Sequence, residues 1–391
     1  MELATIKNLL ESGRINFLFG SGLSLPYLST LESIEERLTE LNSLHEKDEV
    51  NVVKSSIYRQ YFAKVIWPNH NEVIEHLKGK DKDKYDKVLH NYTKFLETMN
   101  LLVAKRHVPL LSKKINIFST NIDLFIERAS CLSGIELNDG FGGHMDTKFE
   151  EDNFGKILSK ESVHYQKISE IPTFNYIKIH GSSNWIGKGY SNDIISDDSL
   201  EQVKRIHDSL NKIHEDQFVD VGDSASKTIY DLIESAIDIT DEDTFNIKQY
   251  DEFMSEYEKI VMVNPNKRKF STTVLDMHFY ELLRLYSNAL EQPNALLMVA
   301  GFSFADEHIA LMTIRAANNN PTLQIIVFAY EESAKKTIEG NLSKGGSCKN
   351  HNILVLAPNE VTEDEKPIAA LDKFELESIT DKILDKIAKS I

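Results

Sequence analysis

The chain predicts an α/β architecture, a doubly wound parallel sheet carrying large helical insertions, and three observations lead there. Short apolar runs rich in β-branched residues recur without polar alternation, which suits strands buried on both faces. Helical patterns separate these runs, as the layers of a doubly wound sheet require. Polar or glycine-rich turns follow five of the runs, the place where such sheets hold ligands.

The runs are Ile15–Phe19, Ile115–Ser119, Tyr176–Ile179, Ile260–Val263, Leu296–Ala300 and Gln324–Ala329, with Ile353–Leu356 as a further candidate. Far more chain separates the first two than one crossover helix needs. Leu31, Ile34, Leu38, Leu41 and Leu44 share one helical face there, and Tyr85, Val88, Leu89, Tyr92, Leu96 and Met99 another. A second insertion follows Trp185, with stripes at Val203, Ile206, Leu210 and Ile213 and at Ile229, Leu232, Ile233 and Ile237. The division expected is a sheet domain from 1–30, 113–185 and 259–360, helical insertions at 31–112 and 186–258, and closing helices at 361–391.

Bulk composition limits the function classes. Hydrophobic residues make up 41% of the 391, enough for a substantial core, so disorder is not the expectation. The net charge of −17 argues against direct nucleic-acid binding through a broadly basic surface. Cys131 and Cys348 are the only two cysteines, so neither a disulfide framework nor a four-cysteine zinc site is available. The first residues lack the layout of a secretory signal, and no stretch approaches the roughly 20 apolar residues of a membrane span. A cytoplasmic, reducing compartment without a membrane span is the expectation.

The first run ends in Gly20-Ser21-Gly22-Leu23-Ser24. Glycines after the first strand let backbone N–H groups approach a pyrophosphate, although they also make ordinary tight turns. The second run leads into Thr120-Asn121-Ile122-Asp123. These polar side chains point toward the ligand crevice of such folds or, the better reading of this segment alone, form a capping box, with Asn121 a good N-cap residue. The third ends in His180-Gly181, where an imidazole at a strand end suits a general base near neutral pH. Asn264, with Lys267, follows the fourth run, and Gly301-Phe302-Ser303-Phe304-Ala305-Asp306 the fifth. Ser303-x-x-Asp306 also reads as a capping box.

In this order the motifs resemble the sirtuin superfamily, and more closely the bacterial sirtuin-like NAD hydrolases of anti-phage defence systems. Gly20-Ser21-Gly22-Leu23-Ser24 is similar to the family's glycine loop with Ser21 in place of alanine. Thr120-Asn121-Ile122-Asp123, His180-Gly181, Val263-Asn264-Pro265 and Gly301-Phe302-Ser303-Phe304-Ala305-Asp306 match its later motifs.

The resemblance implies a Rossmann-like NAD-binding domain and an NAD glycohydrolase, with NAD as substrate and no metal. It makes Asn121 the residue that orients a water and His180 the one that acts on a ribose hydroxyl. Gly20, Ser21, Gly22, Ser24, Thr120, Asp123, Asn264, Gly301, Ser303 and Asp306 would then contact the dinucleotide. It also implies a homo-oligomer and a HerA-like ATPase partner. A non-catalytic sensor of NAD or ADP-ribose is the alternative of a different class. A protein deacylase is the weaker enzyme reading, because its four-cysteine zinc module is missing. A dehydrogenase is weaker still, since no acidic residue closes a second strand at the ribose position.

Overall fold

The computed structural model describes residues 1–30, 34–45, 47–106, 111–143, 147–187, 193–222, 227–263, 277–368 and 371–391. In chain order its principal strands are β1 (Arg14–Phe19), β2 (Lys114–Ser119), β3 (Leu137–Asn138), β4 (Thr173–Lys178), β5 (Gly181–Gly187), β6 (Ile194–Ser196), β7 (Ile260–Met262), β8 (Ala295–Ala300), β9 (Gln324–Phe328) and β10 (Ile353–Leu356). Seven of them form one sheet in the order β10-β9-β8-β1-β2-β4-β3, with every pairing parallel. Strands after β1 extend to one side and those from β8 onward to the other. The topological switch therefore falls beside β1, at the carboxyl ends of β1, β2 and β8, the position at which sheets of this kind hold ligands.

The unalternating runs are explained by burial on both faces. Ile15, Phe17 and Phe19 face helices α1 (Leu3–Ser12), α4 (Gly79–Lys105) and α5 (Phe125–Ser133), together with the helical tail Leu376–Ser390. Leu18 and Phe118 face the opposite layer of α9 (Met277–Leu290), α10 (Glu307–Asn319) and α11 (Glu332–Lys344). Each such side chain contributes about 1.5–3 kcal/mol by leaving water.

One row of the sheet is polar. Asn116 donates to Asn16 Oδ1 at 2.8 Å, Asn175 to Asn116 Oδ1 at 3.0 Å, and Asn138 to Asn175 Oδ1 at 3.0 Å. These pairs lie in register across β1, β2, β4 and β3. A one-residue slip would break the whole ladder, so it fixes the strand alignment on which the opposite, carboxyl edge depends.

The helices α2 (Ile34–Leu41), α3 (Asp48–Tyr61), α6 (Glu201–Leu210), α7 (Ile229–Thr240) and α8 (Ile247–Tyr257) share a separate apolar cluster. That cluster also contains Ile122 and Leu124, so the helical layer rests directly on the turn that carries Asn121. The long helix α4 instead packs on the sheet. At about 1.5 Å per residue, its 27 residues make a rod that brings Tyr92 to the carboxyl edge.

The run Ile260–Val263 behaves differently from expectation. Its strand β7 pairs antiparallel with β5 in a separate three-stranded sheet, β6-β5-β7, and adds nothing to the parallel one. The cause is a sharp reversal at Gly181, where φ is +75° and a Cβ would stand 2.2 Å from the Val261 carbonyl. Only glycine permits so close a crossing. No helix among the described residues is long and apolar enough to cross a membrane.

Candidate active site

Three glycines build the floor of the candidate site. The Gly20 N–H donates to Ala300 O at 3.1 Å, and the Gly22 N–H donates to Gly301 O at 3.1 Å. A Cβ on Gly20 would lie 2.4 Å from Gly301 O, and one on Gly301 would lie 2.7 Å from the Leu23 nitrogen. Gly301 also has φ +65°, a conformation that side chains disfavour. The loops after β1 and β8 thus touch backbone to backbone, leaving Ser21 exposed and Gly22 partly so.

The turn after β2 closes over this floor. Asn121 is only 5% exposed. Its backbone N–H donates to Ser119 Oγ at 3.0 Å, and its side-chain amide to Gly20 O at 3.2 Å and Ser24 Oγ at 3.4 Å. Asn121 Oδ1 is buried without a hydrogen-bond partner. A buried carbonyl oxygen without a partner costs about 1–3 kcal/mol, and closed to solvent as it is, it gains a bond only if the turn shifts to admit a hydroxyl or water. The expected capping box does not form: the N-cap of α5 is Leu124, which makes no side-chain cap bond, and Asn121 reaches back to the glycine loop, leaving only Asp123 to meet the first N–H of the helix.

Ser24 and Asp123 face each other beneath that amide. Ser24 Oγ donates to Asp123 Oδ2 at 2.5 Å, while Asp123 Oδ1 accepts the Phe125 N–H at 3.2 Å. Burial pushes the Asp123 carboxyl above its ordinary range, opposed by the Ser24 hydroxyl and then by the Lys178 charge. Tyr92, contributed by α4, stands 3.4 Å from Ser24 Oγ. Burial pushes its phenol well up, with Asp123 adding to the effect. Thr120 is partly exposed beside this group, its N–H donating to Phe19 O at 3.1 Å.

His180 leaves β4 on the neighbouring position of the rim. Its Nε2 lies 3.2 Å from Asp306 Oδ2. Asp306 is at the same time the N-cap of α10, with Oδ1 accepting from the N–H groups of His308 at 3.1 Å and Ile309 at 3.3 Å. The cap belongs to Asp306, so Ser303 has no part in it. Ser303 is exposed, and its carbonyl accepts from Asn341. Asn264 and Lys267 lie outside the described residues.

The structure therefore brings Gly20, Gly22, Ser24, Asn121, Asp123 and Gly301 into one contact network, with His180 and Asp306 a joined pair on the same rim. Lys178, Glu127 and Tyr92 belong to the site's support, and sequence reasoning passed over them. The signal for Lys178 was present: one ammonium-bearing residue in the apolar run Tyr176–Ile179. Among the described residues no group of three or more histidine, cysteine or carboxylate side chains is placed to hold a metal ion.

A family model described as SIR2-like domain matches residues 115–356. The match runs from β2 to the end of β10 and takes in Asn121, Asp123, His180, Gly301 and Asp306, while the Gly20–Ser24 loop precedes it. Comparison with curated proteins returns no match.

Proposed function

Because the chain belongs to the SIR2-like family, whose members use NAD, we propose that it is an NAD glycohydrolase, an effector that depletes NAD in anti-phage defence by abortive infection. The observation that carries the reading is the empty, buried Asn121 Oδ1 held against the Gly20 loop. In the proposed reaction the glycosidic bond breaks, and its electron pair leaves with nicotinamide. A ribosyl oxocarbenium centre remains, which fixed dipoles such as Asn121 Oδ1 stabilise. Asn121 Oδ1 then accepts a hydrogen bond from a water that adds to the sugar carbon. His180, oriented by Asp306, takes up the proton released. The pyrophosphate lies against the exposed Ser21 of the glycine loop, since the Gly20 and Gly22 N–H groups already donate to Ala300 and Gly301.

Incubating the purified protein with NAD and separating the products tests this: nicotinamide and ADP-ribose should appear together. NAD that is bound stoichiometrically and left intact would favour the sensor reading, and turnover of acetyl-lysine peptides the deacylase.

Self-assembly is part of the same proposal. The hairpin Ser159–Glu161/Ile168–Glu170 presents Val163, Tyr165 and Ile168 at 91%, 83% and 68% exposure, apolar surface of the kind that oligomers cover. A HerA-like ATPase as partner follows from the sequence resemblance. Native mass measured alone and with such an ATPase checks both, and a monomer under both conditions contradicts them.

A further inference from the structure

We infer that Lys178 is a positioning residue that locks the Asn121 turn and the His180 turn into one geometry; the inference rests on the reading of Asn121 and His180 as the reacting pair. Lys178 is the last residue of β4 and is 2% exposed, among the most fully buried large side chains of the chain. Its Nζ donates at 2.6 Å to each of three acceptors: the Asp123 carbonyl, Glu127 Oε1 and Ser182 Oγ. The three N–H bonds of an ammonium are thereby used. The Tyr176 ring lies 5.2 Å below.

The three acceptors are what make this more than a buried ion pair. Asp123 lies two residues after Asn121, and Ser182 lies two residues after His180. One cation therefore ties the two turns together from beneath. Backbone bonds from Ile179 N–H to Ser119 O at 2.8 Å and from Ser183 N–H to Ile122 O at 2.9 Å run alongside it. Ser182 passes the constraint onward by donating to Asn184 Oδ1 at 2.6 Å.

Glu127 has a second task. A bare ammonium under the crevice would oppose the positive charge that develops on the sugar. The Glu127 carboxylate, 2.6 Å away, cancels it. Lys178 can then hold the geometry without raising the barrier. An apolar residue would fill the slot but could not reach a carbonyl on one turn and a hydroxyl on the other. Buried ion pairs contribute little to stability for their desolvation cost, and specifying one arrangement is a role they can serve.

The test compares Lys178→Met, Glu127→Gln and the double variant Lys178→Met/Glu127→Gln with wild type. The readouts are thermal unfolding, NAD dissociation constant, kcat, and hydrogen exchange over residues 119–124 and 180–184. Removing both charges together spares the double variant a Glu127 carboxylate without its cation, so it should unfold above Lys178→Met, though below wild type because the buried Asp123 carbonyl loses its donor. Its NAD affinity should stay within about threefold, because the glycine loop is untouched, while kcat falls at least about tenfold. Exchange in both turns should quicken. A double variant that regains wild-type kcat and exchange along with its stability would overturn the inference.

If the double variant does not fold, Ser182→Ala, which deletes one oxygen, replaces it. The expectation is then lower kcat and faster exchange at unchanged affinity, and wild-type values for both would overturn the inference. Wild-type protein that leaves NAD intact defeats the hydrolase reading instead. The exchange measurement still decides whether Lys178 holds the two turns.

Discussion

His180 Nε2 stands 3.2 Å from Asp306 Oδ2, although β1 and β2 separate their parent strands β4 and β8 in the sheet. The contact bridges the carboxyl edge over the two central strands. Because Asp306 also caps α10, it is held from below and aimed at the imidazole, the arrangement of a base with an orienting carboxylate. Asp306→Asn keeps a good N-cap but removes the charge. We expect kcat for NAD cleavage to fall at least about tenfold with unfolding temperature nearly unchanged. Asp306→Ala should additionally lose about 1 kcal/mol of stability with the cap. Steady-state rates and denaturant unfolding of the two variants check this pair of expectations.

Gly301→Ala tests the glycine floor. The new Cβ would meet Leu23 backbone at 2.7 Å on a residue with φ +65°. The strain is on the order of 2 kcal/mol or more, and relief requires the loops after β1 and β8 to part. NAD binding measured by calorimetry should weaken at least about tenfold. Gly155→Ala, where nothing lies within 4 Å of the added carbon, should change stability by no more than about 0.5 kcal/mol.

Asp123 gives a pH-dependent signature. Burial raises its carboxyl above the ordinary value, with hydrogen bonding and Lys178 only partly opposing. A carboxyl raised on folding binds its proton more tightly in the native state. Its stabilising contribution is therefore present at low pH and is lost as pH rises from the unfolded value through the folded one. Asp123→Asn keeps an acceptor for the Phe125 N–H and a polar partner for Ser24, without the titration. Urea unfolding of both proteins across mildly acidic to neutral pH should show wild type losing stability relative to the variant as pH rises, then a constant difference. A difference that is flat throughout would refute the burial argument.

Much of this site was legible in sequence because strand ends and glycines carry local signals. Ile15–Phe19 and Leu296–Ala300 could be recognised as doubly buried strands, and the turns after them converge on Gly20 and Gly301 as the sheet topology demands. What stayed hidden depends on contacts between distant segments. The reversal at Gly181 sends β7 into an antiparallel sheet, because β5 intervenes before the chain returns, and apolar content alone cannot distinguish that from another parallel strand. Tyr92 reads as one more position on a helical stripe, and only the length of α4 brings its hydroxyl to Ser24. The pairing of Ser24 with Asp123 likewise spans the whole first insertion, so spacing gave no hint that these two side chains would satisfy each other.

The central claim is that Asn121 acts on the scissile sugar carbon, and Asn121→Ala measured against wild type tests it most directly. We expect wild type to release nicotinamide from NAD, and the variant to bind NAD within a few-fold of wild type yet turn over about 10²–10³-fold more slowly. Equal turnover by the two proteins, with equal binding, would contradict the account.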